Sequence, residues 1–445
     1  MPPSPSTPST DRPSPAGGAT LPGAPPGRVR YGVVAFTVGL AGVTYLDRIC
    51  ISTLTPSIMR DLSLSKLEMS YVFSAFAIAY ALFEVPSAWW GQRVGTRRVL
   101  TRIVCWWSAF TIATASVWSY GSMLAIRFLF GAGEAGAWPN AARTFSRWIP
   151  AHERGRVQGV FFAGAFLAGG LTPTLVQWLE PRVTWRGVFA CFGAIGFVWA
   201  AAWYRWFRDE PAEHPAVGAA ELALITAGRG RADDHGVDGQ TLSALARSSS
   251  AWALCLGYFS NSYGSYFVFT WLPTYLAERR GFTAGSLALY AGLPMLLSVV
   301  SGLLGGTATD LLARAFGMRA GRVVVGVVSY VVAASTMVLS VQAESPRAAA
   351  ILLAVATAAS MFALGAHWAA AIDIGGEHAG VLSACMNTTG QIGSISSPII
   401  AAWLVTSYAS WALPLYVMAA LYAFSALTWL FVRPPAAPVG PATFS

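Results

Sequence analysis

The sequence predicts an all-α polytopic membrane protein, with twelve transmembrane helices in two pseudo-symmetric six-helix bundles. Three observations predict it. Of 445 residues, 55% are hydrophobic and 11% charged, whereas a soluble chain carries about a quarter charged residues. The apolar residues fall into runs of about twenty, the length an α-helix needs to cross the hydrocarbon core. A polar segment, 208–247, divides those runs six and six, and similar loops recur at matching places in each half.

Residues 1–27 are rich in Pro, Ser, Gly and Thr and cannot bury enough apolar surface to order themselves. They lack the apolar core of a signal peptide, so they read as a disordered cytoplasmic tail. Residues 434–445 are similar. The first bundle (28–207) holds spans beginning near Tyr31, Glu68, Val99, Gly121, Val157 and Arg186. The second (248–433) holds spans beginning near Ser250, Ala284, Arg322, Arg347, Gly380 and Ser410. Between them 208–247, with Asp233 and Asp234, reads as a cytoplasmic linker.

The net charge of +9 does not form a nucleic-acid stripe. Cations gather in alternate loops (91–98, 147–156, 205–247 and 310–322) and beside the first span at Arg28 and Arg30. The loops near Tyr120, 278–280, Glu344 and Ser407 are short and hold fewer. By the positive-inside rule both termini lie in the cytoplasm of a cell (inner or plasma) membrane. Cys50, Cys105, Cys191, Cys255 and Cys385 all fall in apolar runs without metal-ligand spacing or a disulfide framework. They read as small core residues, and no metal or cofactor is expected.

Two spans carry charges of both signs. Asp47 and Arg48 lie inside 31–57, and Arg127 and Glu134 inside 121–145, read as one helix. A charge at membrane depth costs at least ~2.5–3.5 kcal/mol, so it persists only when paired or facing a water-filled cavity. A polar chamber between the two helices follows. Arg127 and Glu134 are seven apart and share a helical face. Arg keeps its charge there, whereas burial can neutralise Glu. The expectation is that protonation of Glu134 frees Arg127 for an anion, the competing reading being a static ion pair. Asp47 and Arg48 point about a hundred degrees apart and need not pair. Arg48 offers a planar fork to a carboxylate, and Asp47 could bind the coupled proton.

Tyr80 and Glu84 lie one turn apart on the second span, with Glu84 expected to meet a loop or gate Arg. Asn261, Tyr263 and Tyr266 could supply polar groups from the seventh. His367 is expected to bond a neighbouring helix.

The repeat is clearest in two loops. One reads Trp89-Trp90-Gly91-Gln92-Arg93-Val94-Gly95-Thr96-Arg97-Arg98. The other reads Gly305-Gly306-Thr307-Ala308-Thr309-Asp310, followed by Arg314, Gly317, Arg319 and Arg322. Two similar bundles related by an axis along the membrane normal are a transporter architecture.

From about Arg28 to Arg433 the chain resembles a major facilitator superfamily transporter, within it the anion:cation symporter family of sugar-acid, hexuronate and organic-acid carriers. The resemblance rests on Tyr45-Leu46-Asp47-Arg48, Arg127-Phe128-Leu129-Phe130-Gly131-Ala132-Gly133-Glu134-Ala135-Gly136, and Trp148-Ile149-Pro150 followed by Glu153-Arg154-Gly155. Trp271-Leu272-Pro273 and Met386-Asn387-Thr388-Thr389-Gly390 complete it. It implies the major facilitator fold, proton sites at Asp47 and Glu134, and substrate contacts from Arg48. Arg127, Tyr45, Tyr80, Trp368 and Asn387 are taken with Arg48 as substrate-lining, and Gln92, Arg93, Arg97, Asp310 and Arg314 as gate loops. Its partners would be a small organic anion, protons (with sodium an alternative) and the lipid bilayer, with a monomer expected.

Three departures stand out. Gln92 replaces the usual loop Asp that helps latch the bundles, Ala88 replaces a Gly, and Ala165 stands near the position of a hydrogen-bonding Gln of hexonate carriers. With no polar side chain from Phe161 to Leu167, a less hydroxylated, even aromatic, acid is favoured.

The function expected is import of a small organic anion by proton symport with alternating access. The alternatives are an organic-phosphate or anion antiporter and an exporter. Phosphate-ester antiporters use an Arg from the seventh span, where 252–277 has no cation. Export of cations would leave Arg48 and Arg127 unexplained. An enzyme is not expected, because His152, His214, His235 and His378 sit in loops without spaced partners. A sensor would normally lose the coupling acid, which is present.

Overall fold

The computed structural model describes residues 27–150, 153–227, 247–375 and 379–433. The amino-terminal bundle opens with α1 (Val29–Asp61) and α2 (Lys66–Val94). At the start of α2 Ser65 and Glu68 form a reciprocal capping box, satisfying two amides that the helix itself cannot. Next come α3 (Thr96–Thr114), α4 (Tyr120–Glu134), α5 (Ala137–Trp148) and α6 (Arg154–Trp206). At 1.5 Å per residue the 53 residues of α6 would run ~80 Å, far beyond a hydrocarbon core of ~30 Å. Thr184, at φ 63° and ψ 169°, breaks it into two crossings.

The carboxyl-terminal bundle comprises α8 (Ser249–Thr270), α9 (Leu272–Arg280), α10 (Ala284–Phe316), α11 (Met318–Gln342), α12 (Pro346–Phe362), α13 (Leu364–Gly375), α14 (Ala379–Tyr408) and α15 (Ala412–Trp429). Counting α4 with α5, α8 with α9, and α12 with α13 as single broken spans gives six crossings per bundle.

The pseudo-symmetry reaches the backbone. Gly95, between α2 and α3, has φ 92° and ψ 148°, and Gly317, between α10 and α11, has φ 89° and ψ 159°. Only glycine adopts such a conformation without strain, which explains the paired glycine-bearing loops. Likewise a Cβ on Gly131 would meet the Phe76 carbonyl at 2.4 Å, and one on Gly305 the Phe362 carbonyl at 2.1 Å. Each bundle therefore packs its second and fourth helices through a glycine.

Large apolar side chains cover the outside, including Val85, Val198, Leu311, Ile372 and Leu427. Water would penalise such a surface and lipid would not. The loops at 95, 149–150 and 317, the α1 start and the α15 end share one face, called here the basic face. The opposite face holds the turns at 62–65, 115–119, 184, 281–283, 343–345 and 409–411.

Within the segment read as a linker, residues 208–227 pack on the amino-terminal bundle through a 3-10 turn, Pro211–Glu213, and α7 (Ala219–Thr226). Glu221 is fully buried and accepts from the amides of Val29 and Arg30 at 3.3 and 3.1 Å. It thus satisfies amides left open at the α1 start. Asp233, Asp234, His152, His235 and His378 lie outside the described residues, as do residues 1–26 and 434–445.

Candidate functional site

A cavity of about 690 Å³ lies between the bundles. α1 brings Tyr45 and Arg48 to its wall, α2 Tyr80 and Glu84, α5 Trp138, and α6 Gln158, Phe162 and Phe166. From the other bundle come Tyr258, Asn261, Tyr266, Trp368 and Asn387. The lining reaches Gln158 and Ser383, each about one turn inside the basic-face end of its helix, and Trp368 is 38% exposed. The cavity therefore runs toward the basic face. The opposite face is closed by the Lys66–Glu278 ion pair at 3.0 Å, the edge-on contact of Phe73 with Trp271, and a Ser74 hydroxyl donating to the Ile395 carbonyl at 2.9 Å.

Arg48 is the cation on this wall. Its guanidinium ion-pairs with Glu134 through Nε and Nη2. The Glu134 carboxylate is fully buried, and its Oε2 has no hydrogen-bond partner. Tyr80 and Phe76 lie 4.9 and 5.2 Å from the Arg48 guanidinium. Phe76 also has the Arg127 guanidinium 5.4 Å from its centroid, and Arg127 lies 4.3 Å from Phe130. Two cations thus share one ring, one at the cavity and one inside the bundle.

Arg127 departs from expectation. It was expected to pair with Glu134 and line the substrate site, but it lies off the cavity, 3% exposed, within electrostatic range of both Asp47 and Glu134. The seven-residue spacing does put Arg127 and Glu134 on one face of α4, but that face looks into the bundle. Arg48 reaches Glu134 from α1 instead. Asp47 is also buried, between α1 and α3, where the Thr111 hydroxyl donates to its Oδ2 at 3.4 Å and its Oδ1 is unpartnered.

Glu134 owes its place to a break in its span. The sequence reads 121–145 as one helix, but α4 ends at Glu134, Ala135 turns extended, and Gly136 adopts φ 91°. A Cβ on Gly136 would sit 2.3 Å from that of Ser87, so both conformation and space require glycine there. The break lets α5 restart with Trp138 against the cavity.

On α8, Asn261 lines the cavity and Tyr263 does not. Tyr263 is two residues on, about 200° around the helix, and is buried in the core beside Phe259. The cavity face is instead Tyr258, Asn261, Ser262, Ser265, Tyr266 and Phe269, a helical stripe legible in the spacing once Asn261 is chosen. Trp368 lines the cavity while adjacent His367 is turned away among Tyr258, Tyr330 and Trp429, its Nδ1 3.2 Å from the Ala363 carbonyl of its own helix. The expected bond to a neighbouring helix is not made. Glu84 was expected to meet a gate Arg. It lines the cavity and accepts from Asn387 Nδ2 across the bundle interface at 3.3 Å.

At the gate loops, Arg97 donates its amide to Asp209 at 2.9 Å and its guanidinium to the Tyr204 carbonyl. Arg93 covers the Trp89 ring at 3.8 Å. Arg322 bridges Asp310 and Asp373 at 3.3 and 3.0 Å. Arg314 is exposed, and the Gln92 side chain lies outside the described positions. The sequence reading missed Phe76, Trp138, Gln158 and Tyr258. Phe76 and Tyr258 carried a signal, being one turn from Tyr80 and from Asn261 respectively.

The Major Facilitator Superfamily model matches residues 37–398. The chain belongs to that family. It is a multi-pass membrane transporter, not an enzyme. A probable sulfoacetate transporter of Cupriavidus necator is 31% identical over 396 residues, 88% of this chain and 91% of that one. A probable galactarate/D-glucarate transporter of Escherichia coli K12 is 29% identical over 91% of this chain and 94% of its own. A bacterial homolog to the human lysosomal transporter Spinster, solved inward-facing and unoccupied, superposes with a TM-score of 0.73 over 92% of this chain and 99% of that one at 18% identity, a likeness of fold.

Proposed function

We propose that this transporter imports a small organic anion, a sugar acid or other carboxylate, by proton symport with alternating access. One observation carries the reading: Arg48 stands at the cavity wall while the carboxylate holding it, Glu134, is fully buried, with no hydrogen bond to its Oε2 among the described residues. A buried carboxylate that loses its charge no longer holds the guanidinium, and a fork at a cavity wall then binds an incoming carboxylate at two points. Proton and anion thereby load together. The bundles, 28–207 and 248–433, then rock about their shared interface, and the basic face is cytoplasmic, as the loop charges suggest.

The names of the relatives, carriers of sulfoacetate and of galactarate or glucarate, support an anionic substrate. The lining is mostly aromatic on the α6 side, which favours a less hydroxylated acid than a hexarate. An organic-phosphate antiporter is the alternative, and against it the cavity lining has Arg48 as its single cation among the described residues.

The test is Glu134→Gln in proteoliposomes. Uptake driven by an inward pH gradient is expected to vanish while counterflow exchange of the anion continues. Undiminished uphill accumulation by the variant would reject the coupling role.

A further inference from the structure

Besides Arg48, the cavity lining contains one charged group among the described residues, Glu84. A simple anion would face this carboxylate across the same space, like charge toward like. Glu84 is half-buried, and Asn387 is the partner its Oε2 accepts from. Its surroundings are aromatic. Tyr80 precedes it by one turn on α2 and also lies 4.9 Å from the Arg48 guanidinium. Across the cavity Tyr258 and Trp368 meet edge to face with centroids 6.0 Å apart, and both line the space. A carboxylate that shares a cavity wall with three aromatic side chains suits a cationic nitrogen, because ring quadrupoles and the negative charge attract it together.

We propose that the physiological load is zwitterionic, a carboxylate bearing an ammonium or quaternary ammonium group, with its carboxylate on Arg48 and its nitrogen at Glu84 among Tyr80, Tyr258 and Trp368. This rests on the reading of Arg48 as the carboxylate site. The Tyr80 ring, 4.9 Å from the Arg48 guanidinium, precedes Glu84 by one turn of α2, so the two poles flank one tyrosine and a short linear ω-amino acid reaches both.

The experiment compares equal-length pairs, 4-aminobutanoate with pentanoate and 5-aminopentanoate with hexanoate, plus the N-trimethyl forms, by thermal stabilisation of purified full-length protein. At least one amino or trimethylammonio acid is expected to bind ten-fold or more tightly than its uncharged-tail partner, and the ratio should fall to about one in Glu84→Gln. Equal affinities across all pairs in the wild-type protein would overturn the proposal without any variant, and so would a ratio that survives in Glu84→Gln. Arg48→Ala separates the two readings. If it spares binding of the simple acids, the carboxylate site itself is misplaced. If it abolishes binding of both series while the wild-type ratio is one, the carboxylate site stands and the zwitterion fails.

Discussion

A guanidinium at a cavity wall can exchange partners only if the partner it leaves tolerates neutralisation, and the geometry of the fork decides how well the newcomer is held. Arg48 hydrogen-bonds Glu134 Oε1 through Nε, and its planar fork can meet an incoming carboxylate at two points, which an ammonium cannot do. Arg48→Lys is therefore expected to keep the fold and raise KM for anion uptake about 10- to 100-fold, the equivalent of a charge-assisted hydrogen bond of ~1.5–3 kcal/mol. An unchanged KM would remove Arg48 from the site. Arg127 behaves oppositely because it lies off the cavity. Arg127→Met should leave the KM of surviving protein within about two-fold while stripping Asp47 and Glu134 of a nearby charge. Leaving a buried charge uncompensated costs ~3–5 kcal/mol, so a fall in thermal stability is the readout, partly restored by adding Asp47→Asn. The sequence showed that these four ionisable groups belong together. It could not show which Arg faces the cavity, because that depends on how α4 is rotated against α1.

At the scale of elements, what was legible and what was not divides along helix breaks. The spans announced themselves by length and hydropathy, with starts near Glu68, Val99 and Arg322, and the structure begins α2, α3 and α11 two to four residues earlier, at the Ser65 cap and just after Gly95 and Gly317. The break after Glu134 had its signal in Gly136, but a glycine in a membrane helix more often serves packing, as Gly131 does. The break at Ala363, between α12 and α13, has no signal in residue type. The docking of 208–227 was hidden because its anchors are single residues: buried Glu221 on the α1 amides, and His214 edge-on to Trp148 and Trp206 at 5.8 and 4.9 Å. Burial, with Arg208 nearby, holds the His214 imidazole below its usual range, outweighing the pull of Glu221. Its Nδ1 accepts from the Ala216 amide at 3.2 Å, a bond that a proton on Nδ1 would abolish. A lowered folded pKa means docking is fully supported above the free value of 6.5 and weakens as pH falls below it. Protection factors across 211–226, taken relative to the intrinsic exchange rate at each pH, should fall at pH 5 relative to pH 7.5, and the drop should disappear in His214→Gln.

For the whole molecule, six-plus-six architecture followed from composition and the loop repeat, whereas the state of the gate did not, because a sequence encodes both states. In the structure the bundles are closed at the opposite face, where α6 and α10 touch backbone to backbone: a Cβ on Gly292 would lie 2.0 Å from the Gly170 carbonyl oxygen. That contact lies eight residues inside α10 from its opposite-face end, about 12 Å at 1.5 Å per residue. It must part if the cavity is to open there. Gly292→Ala therefore acts on one state of the cycle more than the other. Overpacking costs ~1–3 kcal/mol, which moves a two-state balance roughly five- to hundred-fold. The variant is expected to populate the form open at the opposite face, seen as longer spin-label distances between α2 and α9 near the Lys66–Glu278 pair and shorter ones across the basic-face mouth. Lys66→Gln, which removes a partly exposed ion pair worth at most ~1 kcal/mol, should shift the same distances less. If Gly292→Ala lowers thermal stability while both distance distributions stay put, the glycine contact holds the fold together and is no part of the gate.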